Sequence, residues 1–167
     1  ALFVLYHQAI SQSEEIVTLL DDLKSMQAQL IRELLSPSNA KRLLNELAAD
    51  CEQLLNWLQH SPQQHQADIL AFGELWSARL LSAVLSERVC PSFMVDSRDF
   101  LVINNDKACQ VNTALSKSQL HQLKQSDKLA VITGYIAKND QHETCTLGRN
   151  GSDYSATIMA SLVGALN

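Results

Sequence analysis

Apolar residues recur at three- and four-residue spacing through the first half of the chain. Ile16, Leu19, Leu20, Leu23, Met26, Leu30, Ile31 and Leu34 trace one face. After the interruption at Ser36-Pro37-Ser38, Leu44, Leu47, Cys51, Leu54, Leu55 and Leu58 trace a second. That period predicts two amphipathic helices, the second closed by Ser61-Pro62. A third predicted helix runs from about Glu74 through Leu85 and turns Trp76, Leu80, Leu81 and Val84 inward. Such faces build a coiled coil or docking module or, more simply, cover a sheet or a partner helix.

The other periodicity is that of strands. Leu2-Phe3-Val4-Leu5 suits a short buried strand, Phe93-Met94-Val95 a second, and Leu129 through Ile136 a third, continuous and apolar as a strand buried on both faces is. Tyr6-His7-Gln8-Ala9 lacks the Gly, Pro, Asn or Ser that normally turns a strand into a helix, so a gap in the chain is expected at the Leu5–Tyr6 join. Residues 104–117 read as irregular and Ser118–Lys124 as a short helix. Asn139-Asp140-Gln141-His142 turns into Glu143–Leu147, a hairpin arm. Gly148-Arg149-Asn150-Gly151 is a loop, and Ser152 or Asp153 is expected to cap a last helix reaching about Leu162. Strands alternating with helices predict an α/β fold with parallel strands.

Composition narrows the functional classes. With 46% hydrophobic and 19% charged residues in 167, the chain reads as one globular domain with a real core. A net charge of −5 with no basic stripe argues against nucleic acid as a partner. No apolar run of membrane-spanning length and no export signal stand out, so no membrane partner and a cytoplasmic location are expected. Cys51, Cys90, Cys109 and Cys145 form no CxxC pair and read as free thiols, and the five histidines show no metal-ligand spacing. No metal site is expected.

Two segments carry chemistry. In Gly148-Arg149-Asn150-Gly151-Ser152-Asp153, two of five glycines lie within four residues, directly before a helix. Glycines admit a ligand to the backbone, a helix start offers free N–H groups, and Arg149 adds a fork matched to carboxylate or phosphate. The same residues also suit an ordinary glycine turn with a Ser or Asp cap. It is no Walker loop, because the Lys-Ser/Thr ending is absent. In Phe72-Gly73-Glu74, the carboxylate either meets a ligand ammonium or is a first-turn acid favoured by the helix dipole.

Leu147 through Thr157 resembles the aspartokinase signature Leu-Gly-Arg-Gly-Gly-Ser-Asp-Tyr-Ser/Thr-Ala. Phe72-Gly73-Glu74-Leu75-Trp76-Ser77-Ala78 resembles that family's Gly-Glu-x-x-Ser-Ala segment, and Thr133-Gly134-Tyr135-Ile136-Ala137 its Gly-Phe-Ile strand end. The order is the family's, and the resemblance covers essentially the whole chain. Asn150 in place of glycine, with Ser77-Ala78-Arg79-Leu80 and Val95 through Phe100, is most similar to the bifunctional aspartokinase–homoserine dehydrogenases, leaning to the methionine-branch type.

The resemblance implies a three-layer α/β/α amino-acid-kinase (carbamate-kinase-like) fold with a mainly parallel sheet, incomplete in this chain. It implies L-aspartate and ATP with Mg2+ as reactants, NADP only through a dehydrogenase domain, and a homo-oligomer. It places Glu74 on the aspartate α-amino group and Arg149, helped by Ser152, on a substrate carboxylate. Gly134 and Tyr135 lie beside the substrate, Tyr135 replacing the usual Phe, and Asp153 is in the catalytic centre. Against that pattern, residues 1–167 lack the Lys-Phe-Gly-Gly-Ser/Thr-Ser and Ser/Thr-Asn segments and the Trp-Ser/Thr-Asp part of the nucleotide site, so they are expected to form a partial catalytic domain. Two other readings remain open: a kinase for another amino acid, and a non-catalytic scaffolding or regulatory domain of the same fold.

Overall fold

The computed structural model describes residues 1–104, 110–120 and 127–165. Four helices come first: α1 (Leu2–Ile10), α2 (Ile16–Leu34), α3 (Pro37–His60) and α4 (Gln66–Arg88). The predicted strand at Leu2–Leu5 is therefore corrected to a helix that continues without a break through Tyr6 to Ile10. Leu2, Leu5, Tyr6 and Ala9 fall on one helical face and are all buried, while Phe3 and Val4 point outward. A four-residue apolar run fits either element, and here its continuation at Tyr6 and Ala9 sets the period. No turn is needed at Leu5–Tyr6, so the gap expected there disappears.

α2 and α3 follow the sequence pattern, except that Met26 and Leu30 of the expected α2 face are exposed. Pro37 opens α3 behind Ser36, and Glu87 from the far end of α4 takes the Ser36 N–H, the Ser36 hydroxyl and an Asn39 amide hydrogen. α4 starts eight residues earlier than predicted, which moves Glu74 from a first turn to mid-helix. Gly73 does not break it, because Ile69, Ala71 and Phe72 before it and Leu75 and Trp76 after it bury one continuous surface. By length and mean hydropathy (1.3), α4 could cross a membrane, although the sequence reading saw no such run. In the fold, that apolar surface packs on α1, α3 and the sheet.

After α4 two chain lines run parallel. The first is β1 (Ser92–Val95), a 3-10 turn at Ser97–Asp99 and β2 (Val102–Ile103); the second is β3 (Leu129–Ile132) and β4 (Ile136–Asn139). β1 pairs with β3, while β2 and β4 pair in a second sheet that β5 (Thr144–Thr146) extends as an antiparallel hairpin arm. The predicted strand Leu129–Ile136 is thus two strands, interrupted at Thr133–Tyr135, and β3 is partly exposed rather than buried on both faces. Val95 faces Ile132, 37 positions on, whereas Val102 faces Lys138, 36 positions on. The interruption absorbs one residue. It is closed by buried hydroxyls: Thr133 Oγ1 accepts the Ser97 N–H (2.8 Å), and Ser97 Oγ donates to the Ile136 carbonyl (2.6 Å).

Helices lie on both sides. Met94 and Ile136 belong to the core under α1–α4, whereas Val95 and Ala137 belong to a second core with Leu147 and with Met159 and Leu162 of α6 (Gly151–Val163). Adjacent strand residues pointing into different cores is what a sheet covered on both faces requires. Between the two chain lines, α5 (Thr113–Gln119) replaces part of the stretch expected to be irregular. The helix expected at Ser118–Lys124 falls mostly at residues 121–126, outside the described residues. The fold is α/β with parallel pairing, as expected.

Candidate functional site

The interruption at Thr133–Tyr135 brings the two chemistry-bearing segments together. Glu74 lies partly buried on α4 and accepts a hydrogen bond from the Gly134 backbone N–H. On its other side Gly134 meets α6: a Cβ on Gly134 would lie 3.3 Å from both Cβ and Oγ of Ser152. Next along, Tyr135 covers Gly151, where a Cβ would lie 2.8 Å from Tyr135 Cδ2. Glu74, Gly134, Tyr135 and Ser152 thus form one continuous patch, with the buried Gly151 beneath Tyr135.

Hydrogen bonds from several elements hold the backbone of this turn. Thr133 N–H donates to the Val95 carbonyl (3.0 Å), and Ile136 N–H to that of Gly134 (2.7 Å). Tyr135 N–H donates to Ser155 Oγ (3.3 Å), and the Tyr135 carbonyl accepts from Leu147 N–H (2.8 Å). Tyr135 needs this support because its φ is 64°, a left-handed conformation costing a non-glycine residue roughly 1–3 kcal/mol. Strain held in place by surrounding bonds is characteristic of ligand-facing turns.

The loop before α6 is built differently from the sequence expectation. The cap is Asn150 in left-handed backbone (φ 61°), not Ser152 or Asp153, which lie within the first helical turn. This accounts for asparagine where glycine is commoner, since Asn is the other residue that enters this region readily. Gly148, at φ 72°, uses glycine's freedom directly. The Asn150 side chain makes no cap bond. Gly151 N–H bonds the Gly148 carbonyl (3.1 Å), leaving the Ser152 and Asp153 N–H groups without an acceptor among the described residues. Arg149, Ser152 and Asp153 are exposed, and the charges of Arg149 and Asp153 form no ion pair with a described residue.

Electrostatics sort these groups. Burial pushes the Glu74 carboxyl above its ordinary range, and the Gly134 N–H only partly offsets this. An ammonium placed beside it would restore the ionised form. Among the described residues no three His, Cys, Asp or Glu side chains come close enough to hold a metal ion by themselves, and a Mg2+ carried on ATP phosphates needs only one or two carboxylates. Cys51 is buried and its thiol is pushed up to about 11, which makes it an inert core residue.

Sequence reasoning missed several contributors. Ser155 and the Ser97–Thr133 pair carry no charge and give no signal beyond their place inside the resembling segments. Arg98 forks onto Asp96 at the end of β1 and reaches Thr144 Oγ1 (3.2 Å). A cleft of about 480 Å3 lies elsewhere, between the start of α3, the end of α4 and β1. Its charges are already matched, Arg42 with Glu46 and Arg79 with Glu46 and Asp50, so the open patch at Glu74 is the better ligand surface.

Known proteins resemble this chain in sequence and in fold. The model of the amino acid kinase family matches residues 7–167. Over 145 residues the chain is 39% identical to the bifunctional aspartokinase/homoserine dehydrogenase 2 of Escherichia coli K12, covering 85% of this chain and 18% of that protein. The chain therefore spans about a fifth of that relative's length. The crystal structure of E. coli aspartokinase III with lysine and aspartate superposes with a TM-score of 0.81 at 20% identity, over 96% of this chain and 38% of the other. The structure of that enzyme with aspartate and ADP gives 0.72 at 21% identity, with the same coverage. At these identities the two structures establish the fold.

Proposed function

The chain belongs to the amino acid kinase family, and from that premise we propose that it is the aspartate-recognising part of an aspartate kinase. The reaction transfers the γ-phosphoryl of ATP to the side-chain carboxylate of L-aspartate, giving 4-phospho-L-aspartate and ADP. A carboxylate oxygen forms the new P–O bond while the bond from the γ-phosphorus to the β,γ-bridging oxygen breaks. The observation that carries this reading is the meeting of Glu74, Gly134 and Ser152 in one patch beside the free first-turn N–H groups of α6. The names of the relatives point the same way.

Each residue has a role that its chemistry suits. Glu74, half-desolvated and with one hydrogen bond, takes the α-ammonium. Arg149 takes a carboxylate through its fork, with Ser152 and the helix N–H groups beside it. Tyr135 and Gly134 form the wall of the site. Asp153, charged and exposed at the third position of α6, lies where it can orient the reacting phosphoryl end. We extend the proposal to ATP with Mg2+ as reactants, to a homo-oligomer, to a cytoplasmic location, and to a methionine-branch bifunctional enzyme whose NADP chemistry lies in a separate dehydrogenase domain. Residues 1–167 are the partial kinase domain of that protein. No step is derived through the metal.

In the full-length protein, Arg149→Lys is expected to weaken aspartate by about 1.5–3 kcal/mol, because a point charge replaces a bidentate fork. Asp153→Asn is expected to lower kcat by about 10²-fold at unchanged thermal stability. Calorimetry and a coupled ADP-release assay read both. Intact aspartate affinity and normal kcat would favour the scaffold reading, and selective turnover of another amino acid would favour a different kinase.

A further inference from the structure

Ser155 is almost fully enclosed, at 3% exposure, yet its hydroxyl makes two bonds in different directions. It accepts the Tyr135 N–H at 3.3 Å and donates to the Ser152 carbonyl at 2.9 Å. A serine hydroxyl inside a helix commonly bonds back to its own preceding turn, as the second of these does. The first crosses from α6 to the turn between β3 and β4. It satisfies the amide of the one residue in that turn held in left-handed backbone. On the opposite side, the Tyr135 carbonyl is taken by Leu147 N–H, and Ser97 Oγ holds the Ile136 carbonyl. Ser155 is therefore the only hydrogen bond among the described residues joining α6 directly to the turn that presents Gly134 to Glu74.

We propose that Ser155 is a positioning residue of the aspartate site: its hydroxyl sets the register between the Tyr135 turn and the first turn of α6. Through that register it holds Ser152, and Arg149 in the loop before it, against Glu74. It touches no substrate itself. Removing the hydroxyl leaves the Tyr135 amide unpaired and frees the two halves of the site to slide against each other. Groups recognising the two ends of one small ligand then lose their common spacing, which weakens aspartate more than it alters ATP. This inference rests on the aspartate kinase reading.

The test uses the full-length protein with Ser155→Ala, Ser155→Thr and Ser155→Val. Threonine and valine add nearly the same bulk and differ in the hydroxyl. Loss of one hydrogen bond of this kind is worth about 3- to 10-fold. Ser155→Ala and Ser155→Val are expected to raise the aspartate KM by about that factor, with kcat and the ATP KM within about twofold. They are also expected to speed amide hydrogen exchange at Tyr135, with threonine restoring both readouts. Faster exchange with an unchanged aspartate KM would reduce Ser155 to a packing residue and overturn the proposal, as would threonine and valine behaving alike. If the wild-type protein phosphorylates no aspartate, the functional reading fails, while Tyr135 exchange still shows whether Ser155 holds the turn.

Discussion

Gly151→Ala is the sharpest test of how the site is packed. The new Cβ would lie 2.8 Å from Tyr135 Cδ2 and 3.0 Å from Leu147 Cβ. Carbon atoms attract best at about 3.5–4.0 Å, so both contacts are short by about 0.5–1 Å. Neither neighbour can easily give way. Leu147 is buried at the end of the hairpin arm, and Tyr135 is bonded through both its N–H and its carbonyl. Overpacking of this kind costs about 1–3 kcal/mol. Replacing glycine by alanine in a helix returns up to about 1 kcal/mol, less at a first position. The expected net loss is about 1–2 kcal/mol, or roughly 5- to 30-fold in the opening equilibrium. Native-state amide exchange of β4 and α6 reads this locally in a protein of any length. Gly73→Ala is the control, since its Cβ would make only an ordinary 3.4 Å contact with Leu2 Cδ1 in mid-helix. It is expected to stabilise α4 by about 0.5–1 kcal/mol. Gly151→Ala exchanging as slowly as wild type would refute the packing described between α6 and the Tyr135 turn.

Asn150→Ala places a residue that enters the left-handed region less readily than asparagine, so a loss of about 1 kcal/mol is expected in thermal unfolding, whereas Asn150→Gly is neutral or stabilising. Glu74→Gln is expected to raise the aspartate KM while stabilising the ligand-free protein. Because the folded-state pKa of Glu74 lies above the unfolded one, its stability contribution is present at low pH and lost as pH rises through the folded value, so the gain from glutamine grows from acid to neutral pH. Thermal midpoints across pH check this, and a gain confined to acid pH would contradict it. Cys51 is expected to resist alkylation in the native protein, measured by mass spectrometry after brief iodoacetamide treatment.

The helices α2 and α3 were legible because each buries one long face, and period alone decides such cases. At Leu2–Leu5 the run was too short to show a period, and the decisive residues, Tyr6 and Ala9, were read as a connection. The start of α4 was missed because Gly73 looked like punctuation, yet nothing in the fold turns there. The break inside Leu129–Ile136 was hidden for the opposite reason. Apart from Ala130 and Gly134 its residues are strand formers, and the chain turns where Ser97, Ser155 and Leu147 supply partners that lie far away in sequence. The site residues were legible as segments, but what brings them together was not. Glu74 meets Gly134 sixty positions later, and the side chain that cements the meeting is an uncharged serine.

The bond between Glu74 and the Gly134 amide has a practical consequence. Glycine amide nitrogens resonate in a sparsely populated part of an NMR spectrum, and this chain has five glycines. The Gly134 signal should therefore be easy to find and should report the charge state of one carboxylate. A proton on Glu74 weakens the acceptor and moves the peak one way along a titration. A bound ammonium keeps the carboxylate ionised and shifts that titration toward lower pH. One resonance thus records both the acidity of the site and its occupancy, before any turnover has been measured.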